Sequence, residues 1–194
     1  MQADEDLVQA TCRGDRRAFE VLVERYQQRL LRFLMSRGNS RADAEDVLQD
    51  SFVNAYRYLA SYDQRWRFST WLYRIALREA ARHAARAEAR GETVAGDELD
   101  KVATSSESDP LIEVSAQSSR ENLWLTARRV LSDDAYAAMW LRYVEDMPVR
   151  DVATSLERST SWTKVTLMRS RERLAKAAGD LAAEQTKENA YGQI

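Results

Sequence analysis

Residues 65–86 have the sequence RWRFSTWLYRIALREAARHAAR, in which four aromatic residues lie among six arginines. Soluble domains usually bury aromatic side chains and distribute charge over the surface. Aromatic rings interleaved with arginines can instead stack on exposed bases while the cations follow the phosphates. Nucleic-acid binding is therefore the first hypothesis for this segment, and a core helix with a basic outer face is the alternative.

The composition of the chain favours helices and argues against catalysis. Of the 194 residues, 44% are hydrophobic and 31% are charged, with only six Gly and two Pro, which is typical of an all-α protein. One Cys and one His exclude an internal disulfide and argue against a zinc site. Because a Gly-rich phosphate loop and a Ser-His-Asp set are both missing, we expect no enzyme activity, no cofactor and no metal.

The N-terminal sequence, MQADEDLVQATCRGD, lacks the apolar segment of a signal peptide. No run of the chain approaches the roughly 20 apolar residues that a membrane span needs. We therefore expect a cytoplasmic protein that makes no membrane contact of its own.

The formal net charge of -2 conceals an uneven distribution. Residues 65–90 carry seven Arg against two Glu, and residues 158–176 carry six basic residues against one Glu. Between them, residues 92–113 carry seven acids against one Lys. Two basic regions separated by an acidic segment indicate two nucleic-acid contacts rather than uniform attraction to polyanions.

Apolar residues at steps of three and four predict three helices in the first 90 residues. The first covers residues 16–37, the second starts after Ser40 and ends near Leu59, and the third follows a connection over residues 61–68. Ser40 is the predicted N-cap of the second helix, with Asp43 in its first turn. Ser69 or Thr70 is predicted to cap the third helix.

A change of composition near Gly91 predicts a domain boundary. The sequence GETVAGDELDKVATSSESDP at residues 91–110 has few large apolar residues and much Ser, Thr and acid, which is typical of a flexible linker. We therefore predict two small helical domains, residues 1–90 and 117–180, joined by a flexible acidic linker over residues 91–116. Residues 181–194 are predicted to form a frayed tail.

The second domain is predicted to contain a helix-turn-helix. Helices are expected over residues 117–131 and from the cap Ser132 to about Glu145. Pro148 is tolerable in the first turn of the short helix VRDVATSLE, and a polar turn precedes a basic helix over residues 160–178. The last helix of such a motif enters the major groove. Because any helical hairpin has this spacing, a solvated basic helix stays open as the alternative.

Three segments, in this order, resemble an extracytoplasmic-function sigma factor of bacterial RNA polymerase. DAEDVLQDSFVNAYRYL at 43–59 resembles the family's helix that docks on the clamp coiled coil of the largest polymerase subunit. FSTWLYRIALREAAR at 68–82 is similar to its promoter-melting and minus-ten segment. LSDDAYAAMWLRYVEDMPVRDVATSL at 131–156, followed by KVTLMRSRERL at 164–174, resembles its minus-35 domain. Together these segments cover most of residues 15–178.

The resemblance implies a factor that binds core RNA polymerase and directs promoter-specific initiation of transcription. Its implied partners are the clamp coiled coil, the flap of the second-largest subunit, and promoter DNA in duplex and single-stranded form; an anti-sigma factor is left open. The residues that it assigns to polymerase docking are Asp43, Glu45, Asp46, Gln49 and Asp50. Those assigned to melted minus-ten DNA are Trp66, Arg67, Phe68, Ser69, Thr70, Trp71, Arg74, Arg78 and Arg82. Those assigned to the minus-35 duplex are Arg158, Ser161, Lys164, Val165, Arg169, Arg171 and Arg173.

The start of the basic helix departs from the family pattern. Trp162, Val165 and Thr166 replace small or basic residues, and Thr163 puts a hydroxyl where an apolar core residue is usual. We therefore predict base recognition that is unusual, weaker, or partly achieved through apolar contact with thymine methyl groups.

Two other functions stay open beside the sigma factor. A sigma-like decoy would bind an anti-sigma factor without initiating transcription, and it is expected to lack the aromatic and arginine residues of the base-capturing loop. A helix-turn-helix regulator acting without polymerase would leave the face of residues 43–59 unexplained. The sigma factor is therefore the favoured function.

Overall fold

The computed structural model describes residues 2–91 and 122–191, with side chains described for residues 2–91 and 122–179. Every regular element in these ranges is helical, which confirms the predicted all-α class. Apart from Gly91, the predicted acidic linker lies outside the described residues. Among the described helices, none combines the length and the hydropathy that a membrane-spanning segment requires.

The N-terminal unit consists of four α-helices. They are α1 (Asp4–Cys12), α2 (Arg16–Ser36), α3 (Arg41–Arg57) and α4 (Phe68–Ala89), with a 3₁₀ turn at Leu59–Ser61 before α4. The last three confirm the predicted helices, whereas α1 was not predicted. Leu7 and Val8 of α1 are buried, and Asp4 accepts hydrogen bonds from Arg25 and Tyr26 of α2.

Capping side chains fix the starts of α2 and α3. Asp15, the N-cap of α2, accepts a hydrogen bond from the backbone N–H of Arg17 at 3.0 Å. The predicted Ser40 cap of α3 is confirmed, since its Oγ accepts from the Asp43 N–H at 3.1 Å. The Ser40 hydroxyl also donates to the Asp43 carboxylate at 2.7 Å. These contacts satisfy N–H groups that a helix start leaves without intrahelical partners.

The start of α4 differs from the prediction. Its N-cap is Arg67, with φ -62° and ψ 145°, and no side chain caps it. The predicted cap at Ser69 or Thr70 is therefore wrong, because the helix begins at Phe68 and both hydroxyl residues lie in its first turn.

The core of the N-terminal unit lies where α2, α3 and α4 meet. The buried residues of α2 recur at helical spacing and are Ala18, Phe19, Leu22, Tyr26, Leu30, Phe33 and Leu34. The Phe33 ring meets the Tyr73 ring of α4 edge-on at 5.2 Å. At the end of α2, Gly38 takes a left-handed conformation with φ 93°, which turns the chain toward α3.

The C-terminal unit contains α5 (residues 122–130), α6 (Asp133–Tyr143), α7 (Val149–Ser155) and α8 (Thr160–Tyr191). The order and spacing of α7 and α8 confirm the predicted helix-turn-helix. Helix α6 ends at Tyr143 rather than near Glu145, and Asp146 then takes a left-handed φ of 50°. Pro148 is the N-cap of α7 instead of lying in its first turn.

The predicted frayed tail is wrong as far as residue 191, because α8 continues to Tyr191. The chain after Gly179 is rich in Ala, Leu, Glu, Gln and Lys. These residues have high intrinsic helix propensity, which favours continuation of the helix.

The two units pack against each other, mainly through α4 and α7. The Trp140 ring of α6 lies 6.3 Å from that of Phe33 in α2. Ser155 of α7 donates a buried hydrogen bond of 3.0 Å to the carbonyl oxygen of Thr70 in α4. Gly38 faces the Arg128 guanidinium so closely that a Cβ there would clash with it.

Candidate polymerase-binding and DNA-binding surfaces

The first candidate surface is the acidic face of α3. The opposite face of this helix is buried through Ala44, Val47, Ser51, Phe52 and Ala55. Of the predicted docking residues, Asp43 is half-buried and bonded to Ser40, and Glu45 is paired with Arg41 at 2.9 Å. Asp46, Gln49 and Asp50 are exposed, and no side-chain contact within the described residues engages them. They are therefore free to meet a partner.

Sequence reasoning missed an apolar continuation of this face. Val53 and Tyr56 are 47% and 45% exposed, and they follow Gln49 and Asp50 at helical spacing. The Tyr56 ring rests edge-on against Phe19 of α2 at 5.0 Å, which holds it in place. The signal was available, because exposed apolar residues at steps of three continue the acidic stripe. The α3 face combines carboxylates with a fixed ring, as protein-binding surfaces often do.

The aromatic side chains in the segment 65–86 differ in how deeply they are buried. Phe68 and Tyr73 are fully buried and Trp71 is 6% exposed. Phe68 packs against Tyr26, Tyr62 and Trp71 with centroid distances of 5.5 to 5.9 Å. The rings of Phe68 and Trp71 therefore belong to the core in this structure and offer little free surface for the predicted base stacking.

Trp66 is the one aromatic residue of this segment that is half-buried rather than buried. It precedes α4, and the Tyr62 hydroxyl donates to its carbonyl oxygen at 2.5 Å. Burial, helped by the carboxylates of Glu5 and Asp4, raises the pKa of Tyr62 to about 12. The hydrogen bond from this hydroxyl to the Trp66 carbonyl oxygen positions the loop that carries Trp66.

The predicted cations of this segment are mostly engaged within the chain. Arg67 lies 3.9 Å from Asp151, Arg78 is paired with Glu157, and Arg82 binds the buried Glu79 at 2.8 Å. Arg74 is half-buried and has no acidic partner among the described residues.

Helix α7 covers the same loop. The Arg150 guanidinium lies over the Trp66 ring, 4.3 Å from its centroid. Trp66, Thr70, Trp71 and Arg74 line a small cleft whose far side is Thr154. The Thr70 hydroxyl is buried there without a hydrogen-bond partner, and Ser69 beside it is half-buried. Four of the predicted minus-ten residues thus line one cleft, and Thr154 of α7 forms its far side.

Helix α8 presents the third surface. Its buried side, formed by Thr163, Leu167, Ser170 and Leu174, packs against α6 and α7. Thr163 is accommodated in the core because its hydroxyl donates to the Ser159 carbonyl oxygen at 3.0 Å. At 100° per residue, Ser161, Val165 and Met168 lie on the opposite side, and all three are exposed. We call these three residues the outer stripe.

Basic residues flank the outer stripe on both edges. By the same helical geometry, Lys164 and Arg171 lie along one edge and Arg169 along the other, with Arg173 further round. All four are exposed, and no ion pair within the described part of the chain engages them. Arg158 differs, since it binds Asp134 at 2.6 Å and lies 5.3 Å from the Trp162 ring. Sequence reasoning missed Met168, although its spacing from Val165 was visible.

This geometry defines a two-unit, all-α DNA-binding protein of the helix-turn-helix class. The Sigma-70 region 2 family matches residues 22–90. The chain is 31% identical to the RNA polymerase sigma-H factor of Pseudomonas aeruginosa, over 94% of this chain and 97% of that protein. It is also 31% identical to the ECF RNA polymerase sigma-E factor of Escherichia coli (strain K12), over 87% of this chain and 91% of that protein. The chain belongs to the extracytoplasmic-function (ECF) sigma factors of RNA polymerase.

Solved structures have the same fold. CnrH, in complex with the cytosolic domain of CnrY, matches with a TM-score of 0.67 at 22% identity, over 92% of this chain and 99% of that one. The sigma factor RpoE of Bartonella quintana, in complex with the anti-sigma factor NepR, matches with a TM-score of 0.61 at 20% identity, over 83% of this chain and 96% of that one. As a sigma factor, the protein is a regulator of transcription that binds core RNA polymerase and directs promoter-specific initiation.

Proposed function

We propose that the three surfaces divide the work of initiation. The α3 face docks on core polymerase, the Trp66 loop with α4 takes melted minus-ten bases, and α8 recognises the minus-35 duplex. The observation that carries this assignment is that the acidic face and the two basic surfaces lie on different helices, so polymerase and DNA can be bound at once. The chain itself supplies no catalytic step and works in the cytoplasm, where the polymerase is.

Docking on the clamp coiled coil is assigned to Asp46, Gln49 and Asp50, with Val53 and Tyr56 as the apolar part of the contact. Unpaired carboxylates beside a fixed aromatic ring suit a basic, partly apolar partner surface. Asp43 and Glu45 contribute less, since Ser40 and Arg41 already engage them.

The double variant Asp46→Arg/Asp50→Arg tests the docking face. We expect it to abolish co-purification with core polymerase and to leave the helical circular dichroism unchanged, because both side chains are exposed. Glu20→Arg/Glu24→Arg on α2 is the matched control, with the same spacing and the same change of charge on exposed positions. Retained binding by the first variant, or equal loss in both, would contradict the assignment to α3.

In the minus-ten role, Trp66 stacks on an unpaired base while Arg67, Arg74, Arg78 and Arg82 hold the backbone. Stacking on one ring and cation contacts along a helix are the usual elements of single-strand binding. Opening of the promoter then needs no ATP, since a ligand that binds only the melted state shifts the melting equilibrium.

In the minus-35 role, the outer stripe faces the base edges and the flanking cations reach the phosphates on either side. A recognition helix in the major groove has this arrangement. Val165 and Met168 carry no hydrogen-bonding groups, so they suit the methyl group that only thymine presents in that groove.

An anti-sigma factor is proposed as a further partner. It is supported by the two similar structures, in which CnrH is bound to the cytosolic domain of CnrY and RpoE is bound to NepR. A decoy without transcriptional activity is disfavoured, because the relatives that span nearly the whole chain are named as sigma factors.

Run-off transcription with purified core polymerase on a pooled promoter library tests the proposal directly. We expect discrete transcripts that depend on this protein, with a shared minus-35 and minus-ten sequence upstream of their start sites. Core binding without transcripts would contradict the DNA assignments. Neither core binding nor transcripts would favour the decoy.

A further inference from the structure

The interface between the two units has a consistent electrostatic polarity. Among the described residues, four ion pairs cross it, and in each the arginine belongs to the N-terminal unit and the acid to the C-terminal unit. The pairs are Arg29–Glu145, Arg37–Asp133, Arg67–Asp151 and Arg78–Glu157. The basic surface of one unit thus faces the acidic surface of the other.

The pairs differ in burial. The Glu145 side chain is 2% exposed and binds Arg29 through contacts of 2.7 and 2.9 Å, with the Trp140 N–H at 3.4 Å. Arg78 and Glu157, in contrast, are both at least half exposed. Exposed pairs are weak and are screened by salt. The interface therefore has a buried anchor at Glu145 and an outer rim, where Asp151 is buried but its partner Arg67 and both members of the Arg78–Glu157 pair are exposed.

The rim coincides with the surface proposed for minus-ten DNA. Asp151 and Glu157 lie against Arg67 and Arg78, the positions where phosphates would lie. Arg150 covers the face of Trp66 on which a base would stack. The carboxylates of Asp151 and Glu157 take the place of phosphates, and the planar guanidinium of Arg150 takes the place of a base. The C-terminal unit therefore complements this surface as a nucleic acid would.

We propose that the C-terminal unit is an intramolecular competitor of minus-ten DNA. In the closed state, α7 and the turn after it occupy the Trp66 loop and α4, so only molecules in which this contact has opened can capture melted bases. The competition with DNA rests on the proposed minus-ten role, whereas the closure itself does not. Closure lowers the apparent DNA affinity by the fraction of open molecules.

Closure is measured first, without DNA, as the distance between nitroxide labels at Gln28→Cys and Ala175→Cys in a Cys12→Ser background. Both label sites are exposed. We expect one narrow distance in this otherwise unchanged chain and a broader, longer distribution in Glu157→Arg. Glu20→Arg, at an exposed position on α2 with the same change of charge, is expected to keep the narrow distance. Combining Arg78→Glu with Glu157→Arg restores the pair with reversed polarity and should restore the narrow distance.

The second measurement is anisotropy of a fluorescein-labelled, single-stranded 20-nucleotide random pool. We expect Glu157→Arg to bind it roughly three- to tenfold more tightly than Glu20→Arg, because the two variants make the same change of charge and only the first opens the interface. A broad, long distribution in the otherwise unchanged chain would overturn the closure, and a Glu157→Arg distribution as narrow as that of the control would overturn the role of the Arg78–Glu157 pair in holding it. Opening with equal affinities would overturn the competition. Opening with no DNA binding by any variant would overturn the minus-ten role and leave the closure established.

Discussion

Residues 65–86 and residues 158–176 have similar sequences, since both mix cations with large apolar side chains at helical spacing. The folded chain uses them in opposite ways. In the first segment the Phe68 and Trp71 rings lie in the core, and Arg67, Arg78 and Arg82 have acidic partners. In the second, Val165 and Met168 lie outside and the cations beside them are unpaired.

The number of neighbouring helices explains the difference. Helix α4 packs against α2, α3 and α7, so a wide apolar face is enclosed. The described part of α8 packs mainly against α6 and α7, which cover one side of it. Interleaved apolar and basic residues therefore indicate a nucleic-acid surface only where one face of the helix has no neighbour.

The strictest test of this comparison between α4 and α8 is the stability of two variants, Phe68→Ala and Met168→Ala. Phe68 is fully buried among three rings, so its truncation should lower the free energy of unfolding by about 3–5 kcal/mol. Met168 is 46% exposed, and its truncation should change the free energy by no more than about 0.5 kcal/mol. Urea denaturation followed by circular dichroism measures both. Equal effects would mean that Phe68 is a surface residue after all.

A second test separates the half-buried ring from the buried ones. Trp66→Ala should weaken open-complex formation by about 1–3 kcal/mol, the usual value of one base–aromatic stack. Binding to closed duplex should change little. Permanganate reactivity of thymines in a promoter obtained from the run-off library reports the melted state. Tyr143→Ala, which truncates a ring that is 49% exposed in the C-terminal unit, is the control. Unchanged reactivity in Trp66→Ala would exclude the stacking role.

The fold was largely predictable because its determinants are local. The helical period and the Ser40 cap involve residues within a few positions of each other. Helix α1 escaped prediction because its two buried apolar residues, Leu7 and Val8, are too few to form a periodic pattern. Its burial depends on contacts with α2, whose residues lie some 20 positions further along the chain.

The candidate site was predictable only in part, for the same physical reason. The burial of Phe68 and Trp71 could have been inferred, since Phe68, Trp71 and Leu72 share the spacing of a core face. The pairs Arg78–Glu157 and Arg29–Glu145 could not, because they join residues 79 and 116 positions apart. No local pattern in the sequence indicates which distant acid a given arginine will meet.

A third test compares free and engaged cations within the C-terminal unit. Lys164→Gln and Arg169→Gln should each reduce the slope of log affinity against log salt by about one for a minus-35 duplex. Arg142→Gln should leave the slope unchanged, since Arg142 already binds Asp146 and the Met147 carbonyl oxygen. Fluorescence anisotropy over a range of salt concentrations measures the slopes. A slope altered by Arg142→Gln and unaffected by the other two would reverse the assignment.

The smallest expected effect concerns the outer stripe itself. If Val165 and Met168 recognise thymine methyl groups, replacing thymine by deoxyuridine at one contacted position should weaken binding by about 0.8 kcal/mol, the value of one buried methyl-sized group. The replacement keeps every hydrogen-bonding group of the base, so only the apolar contact is lost. Val165→Ala should abolish the difference between the two bases at its position, whereas Ser161→Ala should preserve it. Equal affinity of the unchanged chain for the thymine and deoxyuridine duplexes, at every thymine of the selected element, would show that α8 recognises its site without methyl contacts.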